Sequence, residues 1–188
     1  EAIDAIWEDI VSKRLYLIGS MGVRGYAEGF GPDYKLPNME AYNETCATIG
    51  TSFLNLRLFL LHKDARYMDV LERSLFNGVL AAVSLEGDEF LYPNPLATDG
   101  VGPRHVRKGW YGTACCPSNM ARFMPSVPGY VYAHDGDDLY VNLFIGGRGR
   151  VAMDGRVVNM VQKTEYPWGG KVTISVEPEA SGRFDILV

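Results

Sequence analysis

Phe53-Leu54-Asn55-Leu56-Arg57-Leu58-Phe59-Leu60-Leu61-His62-Lys63-Asp64-Ala65-Arg66-Tyr67-Met68-Asp69-Val70-Leu71 is the stretch on which the fold turns. Its first half is apolar on nearly every side, and a helix of that kind buries itself among other helices rather than lying on a surface. Lys63-Asp64 interrupts it, and Tyr67, Met68, Leu71, Leu75, Phe76 and Leu80 then recur at helical spacing. The pattern predicts one helix over 38–62, a second over about 65–83, and a short hairpin connection between them. Upstream, Ile3, Ile6, Trp7, Ile10 and Val11 lay an apolar stripe along a further helix.

The segments between are of another kind. Five glycines and two prolines punctuate residues 18–38, which reads as a long loop, and loops of that length usually carry function. Phe90-Leu91-Tyr92-Pro93-Asn94-Pro95 is extended, because each proline pushes its predecessor out of helical geometry. A second loop over 97–113 leads to Cys115-Cys116-Pro117, and Pro117 suits the first position of a helix running through Met120 and Phe123. Beyond Tyr130 the period changes to two. Strands are predicted over 139–145, 157–166, 171–176 and 184–188, with turn signals at Asp154-Gly155 and Gly169-Gly170. The expected class is α+β, with a helical, loop-rich part over 1–132 and an antiparallel β part over 133–188. The uncapped apolar stripe at the start and the strand-like Phe184–Val188 at the end make both termini read as cuts in a longer chain.

Composition removes several classes of function. Hydrophobic residues make up 47% of the chain, too many for a disordered segment. Eighteen basic against 23 acidic residues leave a net charge of −5 and no basic face for nucleic acid. Apolar runs such as Leu58–Leu61 are far short of the ~20 residues of a membrane span. Glu1-Ala2-Ile3-Asp4 has neither the basic start nor the apolar core of a signal peptide.

Three cysteines, two of them adjacent, do not make a disulfide framework. Cys46, Cys115 and Cys116 together with Glu44 offer three thiolates and a carboxylate, a donor set suited to tetrahedral zinc. Three buried thiols acting as small hydrophobes is the alternative reading. A helix opening at Pro117 would favour thiolate over thiol at the cysteine pair, and the thiolate is the nucleophile. Glu28, the one glutamate of the glycine-rich loop, is the candidate general acid/base, with a solvated loop acid as its plainer reading. Tyr26, Tyr42, Tyr92, Trp110 and Tyr111 lie in or beside the loops, where aromatic rings with polar tips suit a sugar pocket or simply pack. Asp69 and Arg73 are spaced to pair on a helix surface. His62, His105 and His134 lack metal spacing, and His105 alone adjoins a loop of interest.

Tyr42-Asn43-Glu44-Thr45-Cys46-Ala47, Asp69-Val70-Leu71-Glu72-Arg73, Tyr92-Pro93-Asn94-Pro95-Leu96, Cys115-Cys116-Pro117 and Tyr140-Val141-Asn142-Leu143-Phe144 resemble, in this order, glycoside hydrolase family 127. That family, related to family 146, is best known for β-L-arabinofuranosidases. The resemblance implies the C-terminal part of an (α/α)6 barrel followed by the start of a β-sandwich. It implies a zinc ion held by Glu44, Cys46, Cys115 and Cys116, with Cys115 as nucleophile and Glu28 as acid/base. Tyr92 matches a residue near the sugar, and Glu72 a further family glutamate of open role. The implied reaction removes terminal β-L-arabinofuranosyl groups from a plant-type arabinose-containing glycan with retained configuration. The alternatives are a related sugar such as aceric acid in pectin, or a non-catalytic zinc-stabilised or carbohydrate-binding fragment. An oligomer contact or a missing N-terminal half would complete the barrel, and bacterial cytoplasm and periplasm both remain open as the compartment.

Overall fold

The computed structural model describes residues 1–23, 28–101 and 106–188. The chain divides into two compact units, Glu1–Met124 and Pro125–Val188.

In the first unit, helix α1 (Ala2–Lys13) buries Trp7 and Ile10. Trp7 Nε1 donates to Asn55 Oδ1 of helix α2 (Thr45–His62) at 2.8 Å. The Trp7 ring also meets Tyr67 of helix α3 (Ala65–Arg73) edge-on at 4.8 Å. One indole thus ties three helices together, apolar on its faces and satisfied at its single donor. The α2–α3 hairpin forms as expected. Lys63 adopts the left-handed conformation that ends α2, and Asp64 caps α3 by accepting from Arg66 N.

Three local features differ from the sequence reading. Helix α2 starts at Thr45 rather than Asn38, because the N–H groups of Tyr42 and Asn43 are taken by Gly22 O and Asn43 has φ +40°. Its buried face also mixes polar with apolar side chains. Thr48, Thr51, Ser52 and Asn55 are buried together with Ile49, Leu56, Leu58 and Phe59, while Phe53, Leu60 and Leu61 are exposed. Those polar side chains bond carbonyls one turn back, as in Asn55 Nδ2 to Thr51 O at 2.8 Å, so their burial leaves no donor stranded. The third difference lies after α3, where the helical path widens into a π segment over Ser74–Val79 and tightens over Leu80–Ala82.

That π segment touches the chain leaving α1. Ser74 Oγ lies 2.6 Å from Gly19 O, and a Cβ on Gly19 would stand 2.6 Å from Ser74 N, at a φ of +77°. A Cβ on Gly78 would meet Thr48 Cγ2 at 2.5 Å. Gly19→Ala combines a steric clash with a left-handed backbone, and it is expected to cost about 2–4 kcal/mol. A denaturant titration that finds its midpoint unchanged would show that the contact is softer than drawn.

The second unit opens with a tight helical turn ending at Tyr130. Strands β1 (Tyr132–Asp135) and β2 (Asp138–Val141) pair antiparallel, and β3 (Gly147–Met153), β4 (Arg156–Thr164) and β5 (Val172–Pro178) form an antiparallel meander. The last strand, β6 (Asp185–Leu187), pairs parallel with β2, so the unit is not wholly antiparallel as predicted. Strands β1 and β3 were not visible as period-two runs, since Gly147-Arg148-Gly149-Arg150 carries no alternating apolar set. Where alternation is strong it decides the facing: Val158 and Met160 of β4 are wholly buried with Leu139 and Val141 of β2 and Val151 and Met153 of β3. No helix among the described residues is long and apolar enough to cross a membrane.

Candidate metal centre and active site

Two helix N-termini converge on one point. Thr45 and Cys46 open α2, and Cys115 and Cys116 open helix α4 (Cys115–Phe123). Pro117 is therefore the third residue of α4, not the first as the sequence suggested. A proline is accepted there because the N–H groups of a first turn have no partner within the helix. Neither helix has a side-chain cap at Glu44 or Ala114. An uncapped N-terminus carries partial positive charge, and two of them facing one cluster favour anions between them.

The extended segment read from Pro93 and Pro95 closes the site from the side. Thr45 N donates to Tyr92 O at 3.0 Å and Thr45 Oγ1 to Leu91 O at 2.7 Å. Farther along, Asn94 N donates to Tyr42 O at 3.1 Å. The first free N–H of α2 is thus satisfied by the segment that carries Tyr92, which holds that ring beside the cysteines.

Glu44, Cys46, Cys115 and Cys116 bring their ligand atoms within 4.8 Å of one another and can hold a metal ion. Cys115 Sγ and Cys116 Sγ are 3.8 Å apart, and they lie 3.4 and 3.7 Å from Glu44 Oε1. All three cysteines are free thiols; Cys116 is buried and the other two half-buried. Burial is the main cause that pushes the Cys46 thiol up to about 11 and Cys116 far above the usual thiol range. Packing three thiols and a carboxylate together without a cation disfavours charge, and a dication reverses that balance because it deprotonates the thiols it coordinates.

The surroundings were only partly foreseen. Tyr92 Oη lies 3.0 Å from Cys115 Sγ, and that hydrogen bond, followed by burial, holds the phenol well above its ordinary pKa. Tyr111 meets the Tyr92 ring edge-on at 5.4 Å and donates to Phe90 O at 2.7 Å. Asn119 offsets part of the effect of burial on the Cys46 thiol, a support missed in the sequence. Its spacing of four residues from Cys115 on one helix was the available signal. Glu28 is exposed, stands outside the four-residue cluster, and accepts a hydrogen bond from Tyr42 Oη at 3.2 Å. Glu72 sits half-buried on α3. Trp110 is exposed, and His62 bonds Asp4 while stacking on Tyr67, a structural role. Tyr26 and His105 lie outside the described residues.

Residues 1–129 match the catalytic-domain model "Beta-L-arabinofuranosidase, GH127 catalytic domain", and residues 138–188 match the corresponding middle-domain model. A non-reducing end beta-L-arabinofuranosidase from Bifidobacterium longum subsp. longum is 36% identical over 185 residues, covering 93% of this chain and 28% of the relative. A solved GH127 beta-arabinofuranosidase superposes with a TM-score of 0.89 at 50% identity, covering 93% of this chain and 27% of that one. The GH127 beta-L-arabinofuranosidase from Geobacillus stearothermophilus T6 superposes with a TM-score of 0.89 at 39% identity, covering 96% and 30%. The chain therefore spans about three-tenths of the length of the relatives it matches. From its two family-model matches, its motifs and its fold, the chain belongs to glycoside hydrolase family 127.

Proposed function

We propose that this chain carries the metal ligands, nucleophile and acid/base of a retaining glycoside hydrolase. Its reaction removes terminal β-L-arabinofuranosyl residues from plant-type arabinose-containing glycans. The observation that carries the reading is the Glu44/Cys46/Cys115/Cys116 cluster at two helix N-termini. Zinc fits this donor set. Two sulfurs at 2.3 Å from a tetrahedral ion stand about 3.8 Å apart, and a sulfur and a carboxylate oxygen about 3.6 Å apart. The separations of 3.8, 3.4 and 3.7 Å among Cys115, Cys116 and Glu44 are close to those edges, and all four ligand atoms lie within 4.8 Å of one another. Sulfur-rich coordination argues against magnesium or calcium, which take oxygen shells.

When bound, zinc supplies the charge that keeps a coordinated thiol deprotonated. Cys115 is half-buried, as is Cys46, where Cys116 is buried, and its place 3.0 Å from Tyr92 Oη makes it the sulfur offered to a sugar. Its sulfur attacks the anomeric carbon and forms a C–S bond as the glycosidic C–O bond breaks. Glu28 gives its proton to the departing oxygen, then takes one from the water that cleaves the C–S bond. Two displacements return the original configuration. Tyr92, whose hydroxyl adjoins Cys115 Sγ, contacts the sugar as it arrives.

Elemental analysis paired with alkylation tests the centre. One zinc per chain, with thiols that react only after chelation, is the expected result. No zinc, with three freely reactive thiols, would remove the metal and the nucleophile from the reading together.

A further inference from the structure

We infer that Tyr42 is a positioning residue for the acid/base: its hydroxyl aims the Glu28 carboxyl and, with Tyr92, links it to the Cys115 sulfur. The inference rests on the glycosidase reading above and deepens it, since Tyr42 is neither a metal ligand nor one of the groups given a role there.

Glu28 needs such a guide. Its carboxyl is exposed and sits on a flexible side chain, while acid catalysis requires the proton to be held against one oxygen. Its backbone stands at φ +66°, in the left-handed region, where a non-glycine residue persists only if its neighbours enforce it. The enforcing contacts are present. Val23 N donates to Gly29 O at 3.2 Å, directly after Glu28, and Arg14 Nη1 donates to Gly31 O at 2.6 Å.

Tyr42 hangs from the same anchor. Its N–H donates to Gly22 O at 3.1 Å, and Ala41 forms an antiparallel bridge with Val23. Gly22-Val23 therefore holds the backbone of the tyrosine on one side and the residue after the glutamate on the other. Across that short span Tyr42 Oη donates to Glu28 Oε1 at 3.2 Å. The Tyr42 ring is half-buried and packs at 6.4 Å from the Tyr92 ring, so its hydroxyl is delivered by a side chain with little freedom of its own. Tyr92, whose ring packs against that of Tyr42, lies with its hydroxyl 3.0 Å from Cys115 Sγ. Carboxyl, phenol, phenol and thiol thus form one line from the proton donor to the nucleophile. A carboxyl fixed relative to the sulfur can address the leaving oxygen of the same sugar that the sulfur attacks.

Tyr42→Phe removes the hydroxyl and keeps the ring. In the zinc-loaded protein, kcat/KM is expected to fall about 10- to 100-fold for an alkyl β-L-arabinofuranoside, the range of a misplaced catalytic group. For a nitrophenyl glycoside, whose leaving group needs no protonation, the change is expected to stay within about threefold. A loss that is equal for both substrates, or absent for both, overturns the assignment. Glu28→Gln serves as the reference. If it shows the same leaving-group dependence and Tyr42→Phe does not, the inference fails and the acid/base reading stands. If Glu28→Gln shows no such dependence, or the unsubstituted protein turns over neither substrate, the glycosidase reading itself fails. Relaxation of the 13C-labelled Glu28 γ-methylene reads the positioning without turnover. Tyr42→Phe is expected to raise its picosecond–nanosecond mobility while the methyls of Thr48 and Leu56 in α2 are unaltered, and unchanged Glu28 mobility overturns the inference.

Discussion

Cys115→Ser is expected to lower hydrolysis of an arabinofuranoside by about 10³-fold or more, the scale seen when a nucleophile is removed from a site whose members act as a unit. A serine hydroxyl in the place of Cys115 is neither a soft zinc ligand nor readily ionised, so both proposed duties of the sulfur are lost together. Metal content separates those duties. With Glu44, Cys46 and Cys116 intact, three of the four donor groups remain, and partial zinc occupancy with no turnover would point to the nucleophile rather than to the metal. Cys46→Ser is the matched comparison: it removes a ligand of the same kind and leaves Cys115 in place. Near-normal turnover by Cys115→Ser with a full complement of zinc would end the sulfur mechanism.

Glu28→Gln is expected to cost about 10²- to 10⁴-fold in turnover, the usual contribution of general acid/base catalysis. Zinc should stay bound, because Glu28 is not one of the four clustered ligand residues. The amide keeps the shape and the contact with Tyr42 Oη but has no proton of suitable acidity to give. The deficit should therefore grow as the leaving group worsens. Near-normal activity of this variant on a glycoside with a poor leaving group would overturn the assignment of Glu28. The pair of variants also separates two kinds of failure: metal loss accompanies changes at the cysteines, whereas a change at Glu28 leaves the centre intact.

The order of the parts was legible in the chain. Ile3, Trp7 and Ile10 announced α1, the break at Lys63-Asp64 announced the α2–α3 hairpin, and Val157–Thr164 announced a strand. Such patterns are local, because an amphipathic period needs only one neighbouring surface to act on. The pattern held only in part at α2, where Leu56, Leu58 and Phe59 are buried but Phe53, Leu60 and Leu61 are exposed. The structure also buries Thr48, Ser52 and Asn55, whose hydrogen bonds to preceding carbonyls no hydropathy scale counts. The pattern failed at Ser74–Val79, where a π turn is set by the approach of Gly19 and Ser74 from sequence positions 55 residues apart.

By itself the sequence determined which residue types were available for chemistry: an adjacent cysteine pair, a Glu-x-Cys unit, a lone loop glutamate and a tyrosine just ahead of two prolines. Donor chemistry is a property of the side chain, so the proposal of a sulfur-rich metal centre needed no coordinates. Tertiary structure alone decided that two uncapped helix N-termini meet there, that Glu44 reaches the sulfurs of a pair 71 residues away, and that Tyr42 meets Glu28. Those contacts are long-range. They depend on how Gly22, Tyr92 and α4 are brought together, and a spacing along the chain carries no information about distances across it.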